Sequence, residues 1–359
     1  MEVKETMLTY IKEEKECCTK ILANRKSSLS SFIDYMKENK ALKRITVLAT
    51  GSSLNEVNCC KNYLSDILKV EVDIKNPFIY KYYENYTDTD ALYIGVSQSG
   101  SSYSTIEAVK KVKENNCDHF VLTSNLKSAI SRATSNLIDM GCGEEKVGFV
   151  TKGFSATVLN ILLMGIEGAL AKGTIDLSTY ESEISKLEAT IAKIDDIIGK
   201  SMEWFDRNEA EFKKAKRVVA IGYGAGYGIA CEADTKITET VRIPCTGHEL
   251  EEYMHGPYLE LDDTNYLFYI ESKGILEERN NLLKKYTSDY TKHIFTVTCG
   301  NSQNPKDIAI DCNTGEYFST LLLVIPFQVL AYRLSKSIGI DLSVSPFPDF
   351  DSVLKSKVK

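Results

Sequence analysis

Short apolar runs alternate with amphipathic stretches along most of the chain, and this alternation predicts an α/β fold. Apolar runs of strand length in the first half lie at 45–49, 91–96, 119–123 and 136–140. Helix-like periodicity follows three of these runs, at 54–68, 105–115 and 154–172, and precedes the first run, at 1–24 and 29–40. Strands that alternate with helices in this way form a mostly parallel sheet with helices on both faces.

The same pattern starts again after a charge-rich, helix-like stretch at 177–214. The second half has apolar runs at 218–221, 266–270, 293–298 and 308–312, followed by an apolar helix at 317–336. Corresponding positions keep nearly one offset, since Ser97 and Glu271, like His119 and His293, lie 174 residues apart, and Val47 and Val219 lie 172 apart. A constant offset predicts a tandem repeat, with domains at 1–200 and 201–359. The tail at 341–359 is expected to run over the surface.

Composition then narrows the class of protein. The net charge of −7 and the pI near 5.4 argue against a dedicated nucleic-acid binder. The ten cysteines include no C-x-x-C pair, which favours free thiols in the reducing cytoplasm. The charged start lacks the apolar run of a signal peptide, and the apolar stretches at 158–170 and 321–334 are interpreted as buried helices. We therefore expect no nucleic-acid or membrane partner.

Two hydroxyl-rich turns follow the first two predicted strands. The first consists of Thr50, Gly51, Ser52 and Ser53, and the second runs from Ser97 and Gln98 through Ser99, Gly100 and Ser101 to Ser102. Ligands of open α/β sheets bind at the carboxyl ends of strands, where helix N-termini also attract anions. The turns therefore predict a phosphate site. The competing interpretation is that these serines cap helices.

A glycine-rich turn, Gly222–Gly226, follows the first strand of the second repeat. Its glycines are spaced by two, which departs from the G-x-G-x-x-G of dinucleotide sites, and no acidic residue ends a strand about 20 residues later. A nucleotide cofactor is not expected.

Three charged residues lie at helical spacing after that turn. Glu232, Lys236 and Glu239 are at positions i, i+4 and i+7, and therefore share one face of a helix. Such a pattern is often a solvated ion-pair face. Here the helix starts at the carboxyl end of a predicted strand, so a carboxylate that moves protons is the interpretation we favour.

The sequence His255-Gly256-Pro257 follows the same helix and supplies a group that titrates near neutrality. His248 lies close by, so these positions alone do not decide which histidine takes part in the chemistry. A metal site at His248 and Glu252 is a weaker alternative, because no third ligand is evident.

Taken together, the motifs resemble those of tandem sugar isomerase (SIS) domain proteins, in particular the isomerase half of glutamine–fructose-6-phosphate aminotransferase and the fructosamine-6-phosphate deglycases. The resemblance covers the chain after about residue 40. It rests on A-T-G-S-S at 49–53, S-Q-S-G at 97–100, T-K-G-F at 151–154, E-x-x-x-K-x-x-E at 232–239, H-G-P at 255–257 and F-Q-V-L-A-Y at 327–332.

The resemblance implies roles for individual residues. Glu239 would move a proton between C1 and C2, with Lys236 and Glu232 as supporting charges, and His255 would assist ring opening in its own or a neighbouring subunit's site. Lys355 would fall at the tail lysine of the family. The residues implied in holding the phosphorylated sugar are Thr50, Gly51, Ser52, Ser53, Ser97, Gln98, Ser99, Ser102, Glu232 and Lys355.

The departures from the family pattern matter as well. The chain starts at Met1-Glu2-Val3 with no N-terminal cysteine, so glutamine-fed amination is not expected. Tyr253-Met254 replaces the usual L-K before His-Gly-Pro, the tail lacks P-R-N-L-A-K, and the segment before Thr151 is one residue shorter.

We therefore expect a cytoplasmic deglycase of 6-phosphofructosyl amines, without metal or nucleotide, that forms a homodimer or a dimer of dimers. The alternatives are an amino-sugar-phosphate deaminase, an aldose–ketose isomerase, and, in another class, a non-catalytic phosphosugar sensor.

Overall fold

The computed structural model describes residues 6–358. Its residues group into two compact units, which we describe separately. Of the described residues, the first-sheet unit comprises 16–146, 152–185 and 345–358, and the second-sheet unit comprises 6–15, 147–151 and 186–344. The sequence repeat predicted a domain boundary between residues 200 and 201. This boundary refers to domains that fold independently, and it stays a prediction.

The first-sheet unit contains five parallel strands in the order β2-β1-β3-β4-β5. The strands are β1 Arg44–Leu48, β2 Glu71–Lys75, β3 Leu92–Val96, β4 His119–Thr123 and β5 Leu137–Asp139. The helices in this part of the chain are α1 Met7–Ser28, α2 Ser30–Glu38, α3 Ser52–Leu68, α4 Pro77–Tyr82, α5 Tyr103–Glu114 and α6 Lys152–Lys172. Helix α14, Phe350–Leu354, lies in the tail and is exposed.

Helix α6 supplies much of the core of this unit. It is apolar on all sides and packs against α3 and α2. By length and composition α6 could cross a membrane, but 89% of its apolar window is buried inside the molecule, as in the core helix of a globular domain. The sequence-based interpretation of this stretch as a buried helix is confirmed.

The second-sheet unit repeats the arrangement, with five parallel strands in the order β10-β9-β8-β6-β7. They are β6 Val218–Gly222, β7 Cys245–Glu249, β8 Tyr266–Glu271, β9 Ile294–Thr298 and β10 Ile308–Ala309. The helices are α7 Leu177–Ala192, which begins in the other unit, α8 Ile194–Phe212, α9 Gly226–Lys236, α10 Leu250–Met254, α11 Glu277–Thr287, α12 Thr320–Leu323 and α13 Ile325–Ser337.

Read from its second strand, each sheet has the order 2-1-3-4-5. The strand order therefore reverses direction between β1 and β3 in one unit and between β6 and β8 in the other. Open α/β sheets bind ligands in the crevice at such a switch point. The predicted fold class, two mostly parallel sheets flanked by helices, is confirmed.

Candidate active site

Both hydroxyl-rich turns lie at the switch point of the first sheet. Strands β1 and β3 are direct neighbours, with Val47 paired to Ile94 and Leu48 to Gly95, so their carboxyl ends are adjacent. The turn at 50–53 leaves β1, and the turn at 97–102 leaves β3. The structure thus brings the predicted phosphate-holding residues of this unit together at one edge.

The first turn leads directly into α3. Gly51 is the N-cap residue, with a positive φ of 61° that a residue with a side chain adopts only at a cost. No atom lies within 4 Å of the place where a Cβ of Gly51 would stand, so the space in front of the turn is open. Ser52 is buried and starts the helix, whereas Thr50 and Ser53 are partly exposed. An anion has room here beside a helix N-terminus.

The second turn is held tightly from behind. The amide of Gly100 donates to the carbonyl of Ser97 at 3.0 Å, and Gly100 has a φ of 64°. A Cβ on Gly100 would stand 1.9 Å from Oγ of Ser128 and 2.9 Å from Oγ1 of Thr123. Only glycine fits this position, and its tight packing fixes the direction of the turn.

The serines of this turn do not act as helix caps. Ser102 is the N-cap residue of α5, yet its side chain makes no capping hydrogen bond. Its hydroxyl lies 3.2 Å from that of Ser104 and accepts a hydrogen bond from Thr105, while Ser99 and Ser101 pair through their hydroxyls at 2.7 Å. The competing interpretation of Ser102 as a cap is therefore wrong. A hydroxyl cluster at an uncapped helix N-terminus can donate to a phosphate instead.

The sequence analysis missed a contact of Gln98. Its amide donates to Oε2 of Glu145 at 2.7 Å. The carboxylate of Glu145 also accepts from the backbone amides of Lys152, at 2.8 Å, and Gly153, at 3.4 Å. A carboxylate at the N-terminus of α6 therefore orients the side-chain amide of Gln98. No sequence signal pointed to Glu145, because the contact spans 47 residues.

The tail runs alongside the second turn. Ser102 forms an antiparallel bridge with Lys357, the amide of Tyr103 donates to the carbonyl of Ser356, and the amide of Val358 donates to that of Ser101. Lys355 is exposed at the end of α14, with a positive φ of 51°. Lys355 thus directly precedes the tail residues 356–358 that bond to the second turn, and its role stays a prediction.

The predicted acid–base group lies in the second-sheet unit and forms one compact ion cluster. The ammonium of Lys236 lies 3.2 Å from Oε1 of Glu232 and is hydrogen-bonded to Oε1 of Glu239. The side chains of Glu232 and Lys236 are 0% and 1% exposed, while that of Glu239 is 31% exposed. Of the two carboxylates, only Glu239 can reach a ligand.

The backbone changes character between these residues. Helix α9 ends at Lys236, and the chain continues as one π-helical turn, Ile237–Val241, that carries Glu239. Such π turns inside helices occur often at functional sites. Glu232 and Glu239 both contact Lys236, as expected for residues that share one face of a helix.

Burial and charge set the proton affinities in opposite directions. Burial raises the pKa of Glu239 above its ordinary value of 4.5, and this outweighs the opposing effect of the Lys236 ammonium. For Lys236, burial disfavours the charged form, but the two carboxylates outweigh it and raise the pKa. Lys236 therefore stays charged, and Glu239 is a stronger base than an exposed glutamate.

His255 lies apart from this cluster in its contacts. Its imidazole is 69% exposed and lies 3.5 Å from Oε1 of Glu251. Within residues 6–358, no hydrogen bond or ion pair joins it to Glu239. His248 is half-buried on β7, and burial lowers its pKa. His255 is thus the more accessible of the two, and its predicted role stays untested.

Comparisons with known proteins concern the family and the fold of the chain. Residues 40–166 match the SIS domain family. Glutamine–fructose-6-phosphate aminotransferase [isomerizing] of Bacteroides thetaiotaomicron is 25% identical over 346 residues, which cover 94% of this chain and 56% of that protein. The chain therefore spans little more than half the length of this relative.

Solved structures resemble the chain over nearly its whole length. A candidate phosphosugar isomerase of Clostridium difficile 630 superimposes with a TM-score of 0.90 and 29% identity, covering 98% of both chains. The C-terminal domain of glucosamine-fructose-6-phosphate aminotransferase from Francisella tularensis gives a TM-score of 0.84 at 20% identity, covering 95% of this chain and 98% of that one. Residues 40–166 thus match a SIS domain, and the chain as a whole has the fold of these two solved structures.

Proposed function

We propose that the chain is a phosphosugar-metabolising enzyme, a deglycase of Amadori-type 6-phosphofructosyl amines. The observation that carries this proposal is Glu239, a half-buried carboxylate with a raised pKa, held on a π turn by the buried ammonium of Lys236. A single fixed base is what proton transfer between neighbouring sugar carbons requires.

The phosphate of the substrate is assigned to the first sheet. The turns at 50–53 and 97–102 offer hydroxyls and uncapped helix N-termini at a switch point, with open space in front of Gly51. A phosphate monoester suits such a place, because it accepts several hydrogen bonds at once and its charge favours the positive end of a helix. The carboxylate of Glu145, which accepts from the side-chain amide of Gln98, fixes that amide before the ligand arrives.

The proposed reaction converts a ketoamine and water into a hexose 6-phosphate and an amine. Glu239 takes a proton from C1, the C2 carbonyl oxygen gains a proton, and an enaminol forms. The protonated carboxyl of Glu239 then delivers its proton to C2, the amine hydrogen leaves nitrogen, and the C1–nitrogen bond becomes an imine. Water adds to C1, the C1–nitrogen bond breaks, and the amine departs with a proton.

The test measures turnover of a panel of 6-phosphofructosyl amino acids, detected as release of hexose 6-phosphate. We expect Glu239→Gln to lose turnover by at least about a thousandfold, since it removes the only proposed base. Thermal stabilisation by the same compounds should persist, because a ligand that binds the native state stabilises it without reacting. Glu203→Gln, an exposed carboxylate on α8, is the matched control and should retain both properties.

The same panel decides between the alternatives. Interconversion of hexose 6-phosphates would identify an aldose–ketose isomerase, and ammonia release from an amino-sugar phosphate would identify a deaminase. Stabilisation by phosphosugars with no turnover of any panel member would refute the enzyme and support a sensor. A cytoplasmic location and assembly as a homodimer or a dimer of dimers belong to the same proposal, with the ten free thiols in support of the location.

A further inference from the structure

The switch point of the second sheet has the form of a ligand crevice as well. It lies between β6 and β8, which pair directly through Ile221 and Tyr269. The turn after β6 leads into α9, an eleven-residue helix whose N-cap residue, Ala225, supplies no side-chain cap. Gly224 in this turn has a positive φ of 53°, close to the 61° of Gly51 in the first sheet. Both turns place a glycine at positive φ where a helix begins, Gly51 at the N-cap of α3 and Gly224 one residue before the N-cap of α9.

A carboxylate of the chain itself occupies this crevice. The amide of Ala225 donates to Oε1 of Glu316 at 2.9 Å, across 91 residues of sequence. A Cβ on Gly224 would stand 1.7 Å from that same oxygen, and a Cβ on Gly274 would stand 2.7 Å from Oε2. Glu316 thus lies between the turn that leaves β6 and the turn that leaves β8. Two glycines give it room, one from each turn.

A second observation also indicates a ligand at this place. Ser272, in the turn that leaves β8, is 2% exposed, and its hydroxyl has no hydrogen-bond partner among the described residues. Buried hydroxyls are nearly always hydrogen-bonded. In the repeat offset of 174 residues, Ser272 corresponds to Gln98, a predicted sugar-phosphate ligand of the first sheet. An unused hydroxyl at this corresponding position suits an anion larger than a carboxylate.

We propose that the crevice between β6 and β8 is a second anion site, for a phosphate group, that Glu316 keeps closed from within the chain. The carboxylate takes the hydrogen bond of Ala225 that a phosphate oxygen would otherwise take, and its charge repels a second anion. The consequence is that each chain holds one phosphorylated ligand, at the first sheet, although both sheets have the backbone for it.

The test removes the carboxylate and measures binding of inorganic phosphate. The double variant Ser52→Ala/Ser97→Ala disables the first site. Its thermal unfolding midpoint should therefore rise no more in phosphate than in chloride of equal ionic strength. Adding Glu316→Ala should restore a phosphate-dependent rise in that midpoint. Adding Glu316→Gln should not, because glutamine fills the same space and can still accept from Ala225. Adding Ser272→Ala to the Glu316→Ala background should reduce the restored rise.

Equal responses of the Glu316→Ala and Glu316→Gln variants would overturn the proposal. If the Ser52→Ala/Ser97→Ala variant still responds to phosphate, the first site is not where phosphate binds, and the proposed function is contradicted. The Glu316→Ala and Glu316→Gln variants can still be compared with each other in that case. Amide hydrogen exchange of the wild type provides a test that needs no folded variant. Phosphate should slow exchange in the turn at 50–53 and leave Ala225 unchanged, and slower exchange at Ala225 would show an open site.

Discussion

Replacing Lys236 by methionine tests the ion cluster most directly, since the aliphatic part of the side chain is kept and the charge is lost. The ammonium lies 3.2 Å from Glu232, whose side chain is 0% exposed. At an effective dielectric constant of about 20, two unit charges at this separation attract each other by about 5 kcal/mol. Desolvation of the pair offsets part of that attraction, and removing one partner of a buried pair typically costs about 3–5 kcal/mol.

The cost of protonating the buried carboxyl group gives a similar free energy and adds a dependence of stability on pH. A buried carboxylate that loses its cation can escape the penalty of a buried charge by taking up a proton. For a carboxyl group of ordinary pKa about 4.3, protonation at pH 7 costs about 4 kcal/mol, but at pH 5 it costs only about 1 kcal/mol. Desolvation favours the neutral form of a buried carboxyl group that has no cation beside it. Stability relative to the wild type should then fall as pH rises from 5 to 7.

The assay is urea unfolding at pH 5 and pH 7, monitored through the fluorescence of Trp204. This is the only tryptophan of the chain, and it lies buried in the second-sheet unit that holds the cluster. We expect Lys236→Met to lose about 3–5 kcal/mol at pH 7 and markedly less at pH 5. Lys37→Met is the matched control, because Lys37 pairs with Asp34 at 2.9 Å on an exposed surface and should cost at most about 1 kcal/mol.

A double variant separates charge from packing. Glu232→Gln added to Lys236→Met removes the buried carboxylate that the first change leaves without its ammonium, so most of the lost stability should return. A loss in Lys236→Met that is the same at both pH values, and that Glu232→Gln does not relieve, would refute the electrostatic explanation. Lost side-chain packing would then be the cause.

Three further predictions concern the proposed site. Because the base must be deprotonated and its pKa is raised, turnover should fall with decreasing pH with a midpoint above 4.5, and a midpoint at or below 4.5 would exclude Glu239 as the base. Gly100→Ala should weaken phosphosugar binding by at least about tenfold through its clash behind the turn, whereas Gly173→Ala, also at positive φ but with open space, should cost only about 1 kcal/mol of stability and leave binding intact. Lys355→Ala should lower phosphosugar affinity in calorimetry with thermal stability unchanged, because Lys355 is exposed.

The apolar pattern predicted the central strands well but missed one edge strand of each sheet. Strand β4 has the predicted bounds of 119–123, and every residue in it is buried. Strands β2 and β7 were missed, because they lie at sheet edges and mix buried with exposed positions. A half-exposed edge strand lacks the continuous apolar run that identifies a buried parallel strand.

Two other predicted elements are shorter than the sequence indicates, for local reasons. The predicted strand at 308–312 ends at Ala309, and Asp311 has a positive φ of 51° that a strand does not accommodate. The predicted helix at 317–336 is divided into α12 and α13. Pro326 stands in the first turn of α13, where its missing N–H is tolerated but does not continue the helix from α12.

The chemistry of the candidate site could be predicted to the extent that it is local in sequence. The cluster of Glu232, Lys236 and Glu239 spans eight residues of one helix and its π turn, so helical spacing was enough to group it. The carboxylates of Glu145 and Glu316 meet their partners across 47 and 91 residues, and only the fold brings them there. Helical periodicity carries no information about such contacts.

Exposure, rather than spacing, decides which carboxylate of the cluster can serve as the base. Glu232 and Glu239 both contact Lys236, and their positions in the sequence pattern are equivalent. Glu232 is wholly buried, so it cannot approach a substrate carbon, and its charge acts only through Lys236 and Glu239. Glu239 is partly exposed and lies on the π turn after Lys236, where the chain departs from regular α-helical geometry. If the turn were α-helical, Glu239 would project differently from its present position, and a substitution that straightens it should reduce turnover without breaking the ion cluster.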